Sequence, residues 1–147
     1  MRAKFVNEHI NFEKMKDPLS SLGVGKIHLI TSWLYEMGVE DYTINDDFTI
    51  DVNSNVNLNN KGIDKFPSYI KFANINGSFL VRNNQLTSLK GCPNEVYDDF
   101  SCSDNQLINL EYCPTSVGGY FFCGNNNTLF SKNEIKILCN PKGVIYT

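Results

Sequence analysis

Phe79-Leu80-Val81-Arg82-Asn83-Asn84-Gln85-Leu86-Thr87-Ser88-Leu89-Lys90-Gly91-Cys92-Pro93-Asn94-Glu95-Val96 lies in register over Phe100-Ser101-Cys102-Ser103-Asp104-Asn105-Gln106-Leu107-Ile108-Asn109-Leu110-Glu111-Tyr112-Cys113-Pro114-Thr115-Ser116-Val117. Phe79 and Phe100, Asn84 and Asn105, Leu86 and Leu107, Cys92 and Cys113, and Val96 and Val117 are each 21 residues apart, and Phe121, Cys123 and Asn126 continue the period. Val56, Leu58, Ile63 and Phe66 form an earlier copy spaced by 23 residues. In Phe79-Leu80-Val81, alternation with period two predicts a very short strand whose first and third residues face one way. Leu86 and Leu89 cannot lie on the same straight strand, so the chain must bend at the Asn pair and return them to the same core. One such coil cannot bury its apolar side alone, and the copies must stack.

A fixed period in the range of about 20–29 residues with Leu-x-x-Leu spacing and a following Asn is the mark of a leucine-rich repeat. The expected fold is therefore α/β: a short leucine-rich-repeat solenoid with one parallel sheet, its strands near residues 56–58, 79–81, 100–102 and 121–123. Phe79, Phe100 and Phe121 are expected in one core column. Asn84, Asn105 and Asn126 are expected in another, their amides turned inward onto backbone groups that would otherwise be buried without a partner. The positions between the core residues face out: Asn57, Leu80, Ser101 and Phe122 in one column, Asn59, Arg82, Ser103 and Gly124 in the next, Asn55, Ser78, Asp99 and Tyr120 beside them. Most are small and polar. Leu80, Tyr120 and Phe122 are not, and with Arg82, Asp99, Ser101 and Ser103 they make a candidate binding face of the kind in which a few anchors carry most of the energy. The competing reading is that the terminal helix or Val144–Tyr146 folds over Phe122 and buries it.

The flanks divide the rest of the chain. Residues 1–16, polar with isolated Phe5, Ile10 and Phe12, are read as a tail that docks or stays loose. Residues 17–55 make a helical cap and lead-in hairpin. Asp17-Pro18 starts a short helix stopped at Gly23. A second helix, Lys26 to Met37, ends at Gly38 and carries Ile27, Ile30, Leu34 and Met37 on one face with Trp33 beside them. Tyr42 to Val52 alternates on both sides of Asn45-Asp46-Asp47, as a hairpin does. The repeats occupy residues 56–130. In the C-terminal cap, residues 131–147, Ser131 caps a helix from Lys132 to about Leu138 with Glu134 completing a capping box, and Gly143-Val144-Ile145-Tyr146 forms a last strand.

Chemistry is sparse. With 13 basic and 16 acidic residues and a net charge of −3, the chain carries no basic footprint for nucleic acid or an anionic membrane. Met1 to Phe12 lacks an apolar signal core, and a cytoplasmic protein is expected. Cys92 and Cys113 share one repeat column and Cys102 and Cys123 another, with Cys139 apart. No Cys-x2-4-Cys knuckle suggests zinc, so buried free thiols are expected. Gly23-Val24-Gly25-Lys26 lacks the first Gly and the Ser or Thr of a phosphate loop. Asp51-x-Asn53-x-Asn55 has Val56 where a calcium loop needs Gly. His9 and His28 have no nucleophile turn to serve. No catalytic, metal or cofactor constellation is read.

The unit Phe100-x-Cys102-x-x-Asn105-x-Leu107-x-x-Leu110-x-x-Cys113-Pro114-x-x-Val117 resembles the short bacterial leucine-rich repeats, and more closely the Asn- and Cys-rich variant of tailed bacteriophages. Tyr42 to Ile70, with Tyr42-Thr43-Ile44-Asn45-Asp46-Asp47 and Phe66-Pro67, is similar to the lead-in of that group. Ile10 to Gly25 resembles a leader found at the start of many phage proteins. The resemblance implies a phage protein acting in the host bacterial cytoplasm. With no catalytic set, the leading expectation is a non-enzymatic module that binds a host bacterial protein and inhibits a defence or regulatory system. A virion or assembly component and a sponge for a nucleotide signal are the alternatives. The partner and the oligomeric state stay open.

Overall fold

A computed structural model describes residues 18–147 of the chain. The tail over residues 1–16, with Phe5, His9, Ile10 and Phe12, and the helix-starting Asp17 lie outside the described residues. The elements in chain order are α1 (Pro18–Met37), β1 (Tyr42–Ile44), β2 (Ile50–Val52), β3 (Val56–Asn57), β4 (Phe72–Ile75), β5 (Phe79–Leu80), β6 (Glu95–Val96), β7 (Phe100–Ser101), β8 (Ser116–Val117), β9 (Phe121–Phe122), α2 (Lys132–Cys139) and β10 (Ile145–Tyr146).

Together they form a β-solenoid of about five turns with a helix at each end. Each expected strand is present, and the stack β3-β5-β7-β9-β10 is parallel with Phe79, Phe100 and Phe121 in one register. Their rings follow at 6.1 Å, stacked, and 5.2 Å, tilted, and all three are fully buried. Val81, Cys102 and Cys123 line up behind them, and Leu86, Leu89, Leu107 and Leu110 close the core from the returning side.

The expectation of one parallel sheet is corrected: there are two. The second has the order β1-β2-β4-β6-β8 and is parallel apart from the β1–β2 hairpin. Each coil thus contributes one strand to each sheet. Tyr97, Asp98 and Asp99 make the corner between β6 and β7. The following corner needs glycine, because a Cβ on Gly119 would lie 2.9 Å from the Asp98 carbonyl carbon. Ile75, Val96 and Val117 point inward from the second sheet, but two-residue strands are too short for alternation to announce them.

The two N-terminal helices expected from the glycines are one. α1 runs unbroken through Gly23-Val24-Gly25 for 20 residues. Two glycines cost a helix roughly 2 kcal/mol, less than it gains by burying Ile30, Trp33 and Leu34 over the open end of the first coil. Trp33 meets Phe66 at 6.0 Å and Phe72 at 6.4 Å, edge to face. The helix stops where expected: Gly38 has φ 74°, and the Val39 N–H closes back on the Leu34 carbonyl at 2.9 Å.

The cysteines need a third correction. Cys92, Cys102 and Cys123 are buried free thiols, but Cys113 is half-buried and forms a disulfide with Cys139, 26 residues on. α2 crosses the end of the last coil and returns its final residue to the turn that carries Cys113. Nothing in the repeat period places Cys139 there.

Candidate functional site

The outer face of the β3-β5-β7-β9-β10 sheet is built on side-chain ladders that fix its backbone. Asn84 Oδ1 accepts from the N–H of Lys61 and of Ile63, both at 3.0 Å, while its Nδ2 donates to the carbonyls of Leu58 at 2.8 Å and Val81 at 3.0 Å. Asn105 accepts from Leu86 N–H at 3.0 Å and donates to Val81, Cys102 and Ser103 carbonyls. Asn126 accepts from Leu107 N–H and donates to Cys102 and Cys123 carbonyls. The Asn column therefore does what its spacing predicted. One residue earlier, Asn60, Asn83, Asp104 and Asn125 all hold φ between 54° and 58°, making the bend.

On this frame the outward residues fall as follows. Phe122 and Tyr146 stack at 4.8 Å with planes 6° apart, and Tyr120 stands edge-on to both at 6.1 Å. Tyr120 is 45% exposed and Tyr146 48%. Phe122 is half-buried: Tyr146 of β10 covers one face of its ring and leaves the rest partly open. Leu80, two strands away in the same column, is also half-buried. Ser101 between them is buried at 4% exposure. Its expected place on the binding face is corrected, because Leu80 and Phe122 close over a small side chain one strand spacing from each.

The polar members have structural partners. Asp99 Oδ1 accepts from the Tyr120 N–H at 2.7 Å, in a ladder that Asn55 begins by accepting from Ser78 N–H at 2.8 Å and Ser78 continues with Asp99 N–H. Arg82 reaches the Asp104 carboxylate at 3.4 Å while remaining mostly exposed. Ser103 is half-buried and gives its carbonyl to Asn83 N–H and to Asn105. What remains free for a ligand is the aromatic trio, with Arg82 and Asp104 on one side and Asp99 on the other.

Tyr146 is the member that sequence reasoning left out. Gly143 to Tyr146 was readable as a strand, and pairing Ile145 with Phe121 places Tyr146 beside Phe122. The 24-residue step from Phe121 to Ile145 breaks the period of 21 and hides the column.

Elsewhere, Gly23 to Lys26 lies inside α1, and His28 is exposed on it. Asp51, Asn53 and Asn55 bond Asn74, Asn76 and Ser78 of the next coil, so this segment is a ladder and not an ion loop. Among the described residues no cluster of three or more His, Cys, Asp or Glu is placed to hold a metal ion, and no helix is long and apolar enough to cross a membrane. Burial pushes the thiols up: Cys92 and Cys102 far up, and Cys123 to about 11 with a smaller contribution from the Glu134 charge.

The class the structure defines is a β-solenoid whose two sheets, parallel apart from the β1–β2 hairpin, share one core. No protein-family model, curated protein or solved structure matches the chain.

Proposed function

We propose that this chain is a non-enzymatic leucine-rich-repeat protein of the tailed-bacteriophage type, which acts in the host cytoplasm by binding a host protein, in the manner of an inhibitor of a defence or regulatory system. The observation that carries the binding reading is the trio Tyr120, Phe122 and Tyr146, three aromatic rings in mutual contact on one sheet face, the two tyrosines exposed and Phe122 half-buried. Aromatic side chains with a polar rim are the composition of interface anchors, large in contact area and cheap in lost rotamer freedom. The ladders beneath them support it, since a backbone fixed before binding leaves less freedom to lose on association. The family assignment rests on the repeat resemblance alone.

The test is capture from a bacterial lysate by the intact chain and by a Tyr120→Ala/Phe122→Ala double variant, with a thermal melt to verify folding. The expected outcome is a partner held by the parent chain and weakened roughly 30-fold, about 2 kcal/mol, by the double variant. A folded double variant that holds the same partner equally well refutes this face as the site. Mass spectrometry of purified particles separates the alternative of a virion component.

A further inference from the structure

Three features meet at the C-terminal end of the solenoid. The Cys113–Cys139 disulfide ties the end of α2 to a coil turn. Cys113 lines a solvent-open groove with Cys92, Leu110, Tyr112 and Leu138, and Lys71, Lys90 and Glu111 line it too. Beyond Cys139 the chain turns through Asn140 at φ 40°, bridges Pro141 to Val117, and ends in β10, whose Tyr146 lies on Phe122.

Besides the cross-link, this segment is held by buried Ile145 and by backbone bonds of residues 142–146 to the last coil, all along one edge. α2 has eight residues, far fewer than a helix needs to stand alone, and its buried residues are Ile135 and Cys139. β10 is a two-residue edge strand, bonded to β9 on one side. Short elements on a sheet edge, with one neighbour, open at the low end of a protein's free-energy range. A covalent tie at the α2 end removes the freedom that such opening would gain.

We infer that the Cys113–Cys139 disulfide is a redox latch on the candidate binding face: oxidised, it keeps α2, β10 and Tyr146 on the last coil, and reduced, it lets them loosen and bares Phe122 and the β9 edge. The regulatory half of this rests on the binding reading above. The chemistry is thiol–disulfide exchange with a dithiol reductant. Its thiolate attacks Sγ of Cys113, the less buried partner and the one of the two residues that lines the groove, forming a mixed disulfide as the Cys113–Cys139 bond breaks. Cys139 leaves with the electron pair and takes a proton, since its buried site disfavours charge. The reductant's second thiol then displaces Cys113 Sγ, which is protonated in turn, and departs as a cyclic disulfide, so two electrons pass to the protein sulfurs. Lys71 and Lys90 favour the approach of an anionic thiolate, and Glu111 in the same groove opposes it. Cys92, Cys102 and Cys123 do not compete, because burial keeps them protonated.

The test is hydrogen exchange read by mass spectrometry on the full chain, air-oxidised and then treated with dithiothreitol, with intact mass confirming the gain of two hydrogens. Exchange over residues 132–146 should speed up at least ~10-fold on reduction while residues 79–110 change little. Cys139→Ser and Cys113→Ser should match the reduced chain with or without dithiothreitol; because Cys113 is half-buried, its variant serves if the other fails to fold. Equal exchange in both states, no cross-link in the oxidised chain, or loosening of the whole solenoid together overturns the latch. These readouts need no partner. A chain that responds but captures nothing counts against the binding reading alone, and capture indifferent to reduction counts against the link between latch and face.

Discussion

Two neighbouring residues in three successive coils divide one task between them. Asn83, Asp104 and Asn125 adopt the left-handed backbone that turns the chain, which Asn and Asp tolerate better than most side chains. Asn84, Asn105 and Asn126 then pair the backbone groups that the turn leaves inside. Asn105→Ala would orphan the Leu86 N–H and strip one bond from the Val81, Cys102 and Ser103 carbonyls, all near the core. A buried group left unpaired costs about 1–3 kcal/mol, so chemical denaturation should report a loss of about 3 kcal/mol. Asn105→Asp should be no milder, because it aims a carboxylate at three carbonyl oxygens. Gln106→Ala, exposed one residue away, should stay within about 0.5 kcal/mol. The inward amides were legible because three copies repeat Asn84, Asn105 and Asn126 at one spacing; the turn one residue earlier was not singled out. The burial of Ser101 was not legible, because it depends on Leu80 and Phe122 in the coils either side.

At the scale of elements, the two helices differ in what secures them. α1 is seated by Ile30, Trp33 and Leu34, whereas α2 depends on its ends. Ser131 Oγ accepts from Glu134 N–H at 3.2 Å, the first half of the expected capping box, and no return bond from the Glu134 side chain accompanies it among the described contacts. Ser131→Ala should cost about 1 kcal/mol, seen as faster amide exchange in the first turn of α2. The disulfide at the other end closes a loop for which chain entropy gives roughly 3–4 kcal/mol. The cross-link therefore outweighs the cap, and Ser131→Ala should matter most once the chain is reduced. The cap was readable from Ser131 and Glu134. The disulfide was not, since two cysteines outside a shared period meet only through the path that α2 takes.

Over the whole molecule, the strand positions and the Phe and Asn columns followed from one repeated unit; the second sheet follows the same unit in strands too short to announce themselves, while Tyr146 and the Cys113–Cys139 disulfide arose where the unit is interrupted. The unit's constancy has a further consequence. Because each interior coil bonds its neighbour through the same positions, as Phe79 N–H to the Asp99 carbonyl and Phe100 N–H to the Tyr120 carbonyl, the number of coils is a quantity that heredity can change without redesign. Copying Phe79–Asp99 once and inserting it before Phe100 adds one 21-residue step in frame and leaves α1 and α2 on the ends they already cover. Stability in such arrays grows with each matched interface. The lengthened chain should fold, unfold at higher denaturant than its parent, and extend by about 4.8 Å in small-angle scattering; a chain that aggregates or melts earlier would mean that the caps are matched to this number of coils.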